Sequence, residues 1–313
     1  MKNGLKLFFS IVLLCSFEFN YAQNIAEKLG YPKNSKLLII HADDLGVSHS
    51  ENRASIKGLE TTPVNSASIM VPCPWFLEIA NYANTNTGMD LGLHLTLNSE
   101  WSYYKWAPVT ARDSVRSLVD ENGYFFDNIP QVVKNGNPEH VKLELKNQVK
   151  MALRNKIDVT HLDAHMGTAG ASLEFLKKYI TIGNQFQLPV LLVNDDNLMK
   201  EPEVIKLISE GKQIVLDRLY TAGPTDYENG MTDFYTRTLN ELESGLSTIL
   251  IHLAYDDEEM QAMTTGKQYW GSKWRQEDVD FFSSNACKEL IEANNIVLVT
   301  WREIRDKINR SKN

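Results

Sequence analysis

Short runs of aliphatic and β-branched residues recur along this chain, separated by longer segments with a different periodicity. Short apolar runs bounded by turn residues are typical of strands buried in a parallel sheet. Eight runs fit this pattern and predict about eight strands: residues 36–41, 64–71, 89–97, 157–165, 189–194, 213–219, 247–253 and 295–300.

The segments between these runs have helical spacing. Residues 139–155 place Val141, Leu145, Val149 and Leu153 at every fourth position, which forms one apolar helical face. The same spacing predicts helices at residues 172–186, 201–211 and 276–295.

This alternation of strands and helices indicates a parallel sheet with helices around it. We predict a single α/β domain over residues 23–313, a distorted (β/α) TIM-like barrel of about seven to eight parallel strands. An open doubly wound sheet is the alternative. Residues 98–140 are too long for an ordinary connection, so we expect an excursion over one mouth of the barrel.

The first residues have the pattern of a secretory signal peptide. Lys2 and Lys6 precede an apolar run at residues 7–19, and cleavage is expected after Ala22. Because the run is too short for a comfortable membrane span, we expect removal of residues 1–22 and an exported protein, periplasmic or extracellular. An N-terminal anchor that stays in place is the alternative.

Composition narrows the classes of partner. The chain is 43% hydrophobic and 23% charged, with a formal net charge of −8. An acidic chain argues against nucleic acid, whose phosphates require clustered basic residues. Cys73 and Cys287 follow the signal peptide, but two cysteines make no disulfide framework, and the sequence leaves their pairing open. The oligomeric state also stays open.

Carboxylates and imidazoles lie at the ends of four predicted strands. Asp43 and Asp44 follow the first apolar run, His94 lies in the third, and His165 and His252 lie near the ends of two later runs. The C-terminal ends of barrel strands meet at one mouth, where active sites form. We therefore expect these side chains to converge there.

Strand alternation places the adjacent carboxylates on opposite faces. Asp43 shares a face with His41, so both carboxylates point inward only if the chain bends at the strand end, where Gly46 can help. His165 shares a face with Asp163 and His161, which lie at successively deeper levels.

One carboxylate and two imidazoles form a divalent-metal site that leaves coordination positions open. Water bound at such a position loses a proton near neutral pH. Asp44, His94 and His165 fit this triad, Asp43 fits a base beside it, and His252 fits a general acid. Two imidazoles favour one zinc or similar transition-metal ion, with magnesium possible.

Each motif alone has a simpler interpretation. A pair of aspartates at a strand end is usually a solvated turn or a helix cap, and a single strand histidine is usually a hydrogen-bonded core residue. Asp195 and Asp196 imitate the first motif without a nearby histidine, and they are weak candidates. The convergence of several motifs favours a site.

At these residues the chain resembles the YdjC-like carbohydrate deacetylases, a group that contains chitooligosaccharide deacetylases. The resemblance runs from about Lys36 to Arg305 and is carried by HADDLG at 41–46, GLHLTL at 92–97, THLDAH at 160–165 and the histidine of IHLAY at 251–255. It implies a distorted (β/α) barrel, a divalent metal, and hydrolysis of an N-acetyl group on an amino sugar.

Carried over by position, the resemblance implies the same residue roles: Asp43 as base, Asp44, His94 and His165 as ligands, and His252 as acid. It also guides which aspartate takes which role. Many members have DSHHH where this chain has DAHMGT, with Met166 replacing a histidine, and HPG where it has HLAYDD. Both differences lie at the mouth of the barrel, so the resemblance does not identify the sugar substrate.

Aromatic residues supply candidate contacts to a sugar, because flat rings pack against the apolar faces of sugar rings. Trp101 and Tyr104 are predicted substrate contacts in a cluster after the His94 strand, with packing on the outside of the barrel as the alternative. Asp163 and Arg275 are further candidate substrate contacts. From its position in the family, the resemblance also implies that Arg275 pairs with Asp43 or another site carboxylate and tunes its pKa. The remaining aromatic candidates are Tyr103, Trp106, Trp270 and Trp274.

These observations predict a metal-dependent hydrolase that removes acetyl groups from N-acetylated amino sugars or oligosaccharides. A hydrolase of another amide or ester on the same scaffold is one alternative. An exported sugar-binding protein without turnover is another, although all five ligand and catalytic positions are filled.

Overall fold

The computed structural model describes residues 25–194 and 197–311. The predicted signal peptide at residues 1–22 lies outside the described residues, as do Asp195 and Asp196. Among the residues described, no helix has both the length and the apolar character needed to cross a bilayer. Cys73 and Cys287, whose pairing the sequence left open, are both buried and free.

Parallel strands form the centre of the molecule, in the order β4-β3-β2-β1-β6-β5, and β7 pairs with the first three residues of β1. All six pairings between strands in the described part of the chain are parallel, as expected from the alternating pattern. The strands are β1 (Lys36–Leu45), β2 (Ser66–Ile69), β3 (Leu91–Leu95), β4 (Leu162–Ala164), β5 (Arg218–Thr221), β6 (Gly245–Ile251) and β7 (Ile296–Leu298).

The strand expected at residues 189–194 is reduced to two isolated parallel bridges. Leu162 pairs with Val190, and Val193 pairs with Leu216. The Val190 N–H donates to the side chain of Gln213 at 2.8 Å, so it is not available to a strand ladder. The two bridges still connect β4 to the segment that enters β5, which closes the sheet. The prediction of a distorted (β/α) barrel is confirmed.

Thirteen α-helices surround the strands within the described ranges. The predicted helix at residues 276–295 is divided in two, because the Ser284 side chain accepts a hydrogen bond from the Cys287 N–H and starts a new helix. The helices are α1 (Ile25–Leu29), α2 (His49–Thr61), α3 (Phe76–Thr85), α4 (Ile129–Asn135), α5 (Pro138–Arg154), α6 (Leu173–Phe186), α7 (Pro202–Glu210), α8 (Pro224–Asn229), α9 (Met231–Asn240), α10 (Glu258–Met263), α11 (Ser272–Phe282), α12 (Asn285–Ala293) and α13 (Trp301–Ile304).

The interior of the barrel changes from apolar to polar along β1. Leu37 and Ile39 belong to an apolar cluster with Leu29 of α1 and Trp301 of α13, which seals the N-terminal end of the barrel. Each fully buried aliphatic side chain of this kind contributes roughly 1.5–3 kcal/mol. His41 follows on the same strand face and is the first polar residue of the series. Polar side chains are therefore concentrated towards the C-terminal mouth.

Candidate metal centre

The end of β1 bends at Asp44 itself. Asp44 has a φ of +63° and Gly46 a φ of +92°. Against β2, the register advances three residues from Ala42 to Leu45 while the partner strand advances two, which is a β-bulge. Asp tolerates the left-handed region better than most residues. The bulge brings the Asp44 carboxylate to the same side as that of Asp43, as the predicted bend requires.

Two imidazoles converge on one oxygen of Asp44. Its Oδ1 lies 3.4 Å from His94 Nε2 and 3.3 Å from His165 Nδ1. The two rings meet edge to face at 5.1 Å. The structure therefore brings the predicted ligands Asp44, His94 and His165 together, and we call this group the outer triad.

Each of the two imidazoles contacts a second carboxylate through the ring nitrogen that does not face Asp44. His94 Nδ1 lies 2.9 Å from Asp163 Oδ2, and His165 Nε2 lies 2.9 Å from Glu100 Oε2. A neutral imidazole that donates to the carboxylate leaves its other nitrogen with a lone pair, and that nitrogen faces Asp44. No sequence pattern indicates a role for Glu100, because a single glutamate in a loop resembles an ordinary surface residue.

Asp163, predicted as a weak candidate for substrate contact, lies beneath His94 in the barrel interior. Its Oδ2 also lies 3.0 Å from His41 Nε2 and accepts a hydrogen bond from Ser68 Oγ at 2.9 Å. The His161 ring packs edge to face on His41, with ring centroids 5.0 Å apart. These contacts assign Asp163 to holding His94, and we call His41, His161 and Asp163 the inner layer.

Asp43 and His252 lie beside the outer triad. His252 Nε2 lies 3.4 Å from Asp43 Oδ1, and His94 Nε2 lies 3.6 Å from Asp43 Oδ2. Burial, and then the charges of Asp44 and Asp163, raise the pKa of Asp43 well above the ordinary aspartate value. Asp43 is therefore a stronger base than a surface aspartate.

His252 is the most exposed of the five predicted ligand and catalytic residues, with 14% of its side chain accessible. Burial of the ring, and then the positive charge of Arg275, lower the pKa of His252 to about 3. The backbone N–H of His252 donates to Asp278 Oδ2 at 2.9 Å, and Tyr235 donates to the other oxygen of Asp278 at 2.6 Å. The lowered pKa favours the neutral imidazole, and Asp278 holds the main chain of His252 in place.

Arg275 pairs with Asp44, not with Asp43. Its Nη2 donates to Asp44 Oδ2 at 2.7 Å, and its Nη1 donates to Glu51 Oε2 at 2.7 Å. Burial alone would raise the pKa of Asp44, but Arg275, followed by His165 and His94, holds it well below the usual range. Burial raises the pKa of Glu51 to about 8 against the opposing charge of Arg275. Arg275 therefore keeps Asp44 ionised and fixes its second oxygen.

The predicted aromatic cluster packs against one side of the candidate metal centre. Trp101 is only 3% exposed, and Trp106 is also buried, 6.0 Å from the ring of His165. The Tyr104 hydroxyl donates to the backbone carbonyl of Val47 at 2.6 Å. Tyr103, in contrast, is 83% exposed. The start of the excursion at residues 98–140 thus lies against the mouth.

The outer triad fits a divalent metal ion. Asp44 Oδ1 is buried and has no hydrogen-bond partner within residues 25–194 and 197–311, although two imidazole nitrogens face it. One ligand atom from each of the three residues lies within 4.8 Å of the others. A buried carboxylate oxygen without a partner is costly unless a positive charge is present. This donor set has the composition expected for a transition metal with open positions.

Fold and site together define an α/β barrel whose mouth carries a candidate metal centre with a carboxylate and an imidazole beside it. The family model described as YdjC-like protein matches residues 37–293. The chain therefore belongs to the YdjC-like family, and the resemblance stated from the sequence motifs is confirmed.

Two relatives with the name carbohydrate deacetylase align with most of the chain. The protein from Thermus thermophilus is 29% identical over 292 residues, covering 91% of this chain and 99% of its own. The protein from Thermoanaerobacter pseudethanolicus is 26% identical over 267 residues, covering 85% and 98%. A crystal structure from Enterococcus faecalis, described as a cellobiose-phosphate cleavage protein, has a TM-score of 0.72. It is 24% identical, covers 86% of this chain and 99% of its own, and supports the fold alone.

Proposed function

We propose that this protein is a metal-dependent carbohydrate deacetylase, a hydrolase that removes acetyl groups from N-acetylated amino sugars or their oligomers. The observation that carries the proposal is the convergence of His94 Nε2 and His165 Nδ1 on an unpartnered oxygen of Asp44, with Asp43 and His252 alongside. The names of the two aligned relatives support the choice of carbohydrate and acetyl group.

Asp44, His94 and His165 would hold the metal ion. A bound divalent ion polarises an acyl carbonyl and lowers the pKa of water. Asp163 and Glu100 keep the imidazoles in the tautomers that face the ion, and Arg275 holds the Asp44 oxygen that points away from it. Such supporting carboxylates and cations fix ligand geometry in metal sites generally.

Asp43 accepts the proton of the attacking water, because its raised pKa gives it the basicity that the step requires. His252 is neutral at pH 7, since its pKa is about 3. It can therefore donate only a proton that it has received, and Asp43 lies 3.4 Å from its Nε2. We assign a relay in which the proton moves from Asp43 through His252 to the amine that leaves as the C–N bond breaks.

The proposal is tested by acetate release. The purified protein is incubated with N-acetylglucosamine, its oligomers and acetylated polysaccharides, before and after treatment with a chelator and after return of zinc. We expect acetate from at least one amino-sugar substrate, loss of release with the chelator, and recovery with metal. Absence of acetate from every substrate in the presence of zinc or magnesium would rule out the deacetylase. Acetate from O-acetyl esters alone would favour an esterase on this scaffold.

A further inference from the structure

Trp270 has an unusual backbone conformation for a bulky aromatic residue. Its φ is +55°, in the left-handed region that such side chains rarely adopt. It is also 40% exposed, although the ring of Trp274, on which it stacks, is buried. Strained, partly exposed residues of this kind concentrate at binding sites, where the surrounding structure holds them in place.

Contacts with the site hold Trp270 in this conformation. Its carbonyl accepts a hydrogen bond from Arg275 Nε at 3.1 Å, while the same guanidinium donates to Asp44 at 2.7 Å. One guanidinium group therefore separates the backbone of Trp270 from a ligand of the outer triad. The guanidinium also lies over the ring of Trp101, 5.6 Å from its centroid.

The Trp270 ring is the outermost member of a stack of three. It lies 5.0 Å from the ring of Trp274 at an interplanar angle of 28°, and Trp274 lies 4.9 Å from Tyr227 at 16°. Trp274 is fully buried. Tyr227 follows β5 and Trp270 follows β6, so the stack lies on the C-terminal side of the barrel. The stack fixes the plane of Trp270 before any ligand binds.

We propose that Trp270 is the platform of a second sugar subsite, which binds the ring next to the one that carries the acetyl group. A fixed indole presents apolar area at low entropic cost, which suits the apolar face of a pyranose ring. Trp101 and Tyr104 are poorly placed for this role, since Trp101 is buried and the Tyr104 hydroxyl is bonded to the main chain. The subsite rests on the proposed function and narrows its substrate to oligosaccharides.

Equilibrium binding of the product class tests the subsite without turnover. The metal-loaded protein is titrated calorimetrically with glucosamine and with its dimer, trimer and tetramer. For the wild type we expect the dimer to bind roughly tenfold more tightly than the monomer, the gain that burial of one sugar face would give. Trp270→Ala should lose this gain and leave monomer affinity unchanged, and Trp270→Phe should keep most of it. Tyr124→Ala, an exposed aromatic outside the stack, should match the wild type.

Two results would overturn the subsite: the same preference for the dimer in Trp270→Ala as in the wild type, or no preference for any oligomer in the wild type. The KM for acetylated oligomers should rise in Trp270→Ala with little change in kcat. A protein that binds glucosamine oligomers through Trp270 but releases no acetate would retain the subsite and refute the deacetylase. Acetate release that does not depend on chain length would support the deacetylase and refute the subsite.

Discussion

The outer triad and the inner layer have the same composition and different roles. Each contains two imidazoles and one carboxylate, each is buried, and each could hold a metal ion on distance alone. In the inner layer, both ring nitrogens of His41 are already bonded, Nδ1 to Ser66 and Nε2 to Ser68 and Asp163. In the outer triad, two ring nitrogens face an oxygen that has no partner among the described residues.

Residue types alone therefore do not separate a metal site from a supporting network. Two inner atoms, His161 Nε2 and Asp163 Oδ1, also lack a partner within the described ranges. His41, however, has no free nitrogen to offer as a third ligand. The inner layer is better suited to holding Asp163 in place under His94, and the outer triad to binding an ion.

The largest expected effect is loss of the metal from the outer triad. His94→Ala should reduce the bound metal to background and lower kcat/KM by at least about 10³-fold, because Lewis-acid stabilisation is worth several kcal/mol. Elemental analysis and acetate release measure the two quantities. His161→Ala, the matched change in the inner layer, should keep its metal. Equal loss of metal in both variants would contradict the division into two roles.

Asp43→Asn should separate metal binding from proton transfer. We expect normal metal content and a fall in kcat of about 10²–10⁴-fold, the usual contribution of a general base. Single-turnover kinetics together with elemental analysis check this. A variant that keeps full activity would show that the base is another group.

Removal of the supporting carboxylates should weaken the metal site by a smaller amount. Asp163→Asn is expected to lower metal affinity by about 10–100-fold, and Glu100→Gln by less, because water reaches the 16%-exposed Glu100 side chain. Competition with a fluorescent zinc chelator gives the affinities. Glu78→Gln, which breaks a similar contact with His49 outside the site, is the control and should bind zinc normally. Unchanged affinity in Asp163→Asn would remove the role assigned to the inner layer.

The pH profile should show the raised pKa of Asp43. This carboxylate works as a base only when ionised, so kcat/KM falls about tenfold per pH unit below its pKa. Since burial and nearby carboxylates raise that pKa, the acidic limb should begin above the ordinary aspartate value of about 3.9. A profile that stays flat down to pH 4 would contradict this.

The smallest effect on chemistry is expected from a substitution at Gly92, which packs against His161 of the inner layer. A Cβ at Gly92 would lie 2.4 Å from the ring of His161, so Gly92→Ala must displace that ring. We expect a loss of about 1–3 kcal/mol of unfolding free energy, typical of an overpacked core, with metal still bound. Urea unfolding measures the loss, and an unchanged midpoint would mean that the inner layer is loosely packed.

Local patterns predicted much of this molecule. The spacing of His161, Asp163 and His165 gave their order from the barrel interior to the mouth, and the strand ends identified Asp44 and His94. The order and convergence of these residues follow from strand periodicity and the geometry of parallel barrels, whereas the choice of Asp44 over Asp43 as ligand also rests on the family resemblance.

The partners that complete the site come from distant parts of the chain and carry no local signal. Glu51 contacts Arg275, which is 224 positions away in the sequence, and Glu100 contacts His165, which is 65 positions away. A carboxylate in a helix or loop is ordinarily a surface residue, so only the folded arrangement reveals these contacts. For the same reason, the sequence does not reveal that Trp270 is exposed and that Trp101 is buried.

The bulge at Asp44 also sets the phase of the strand. Before it, inward and outward positions alternate from Leu37 through Asp43; after it, the alternation is displaced by one position. Deletion of a single residue here would restore the regular alternation and turn one of the two carboxylates towards the helices. Two neighbouring residues with identical side chains thus hold different positions in the site because one backbone torsion has changed sign.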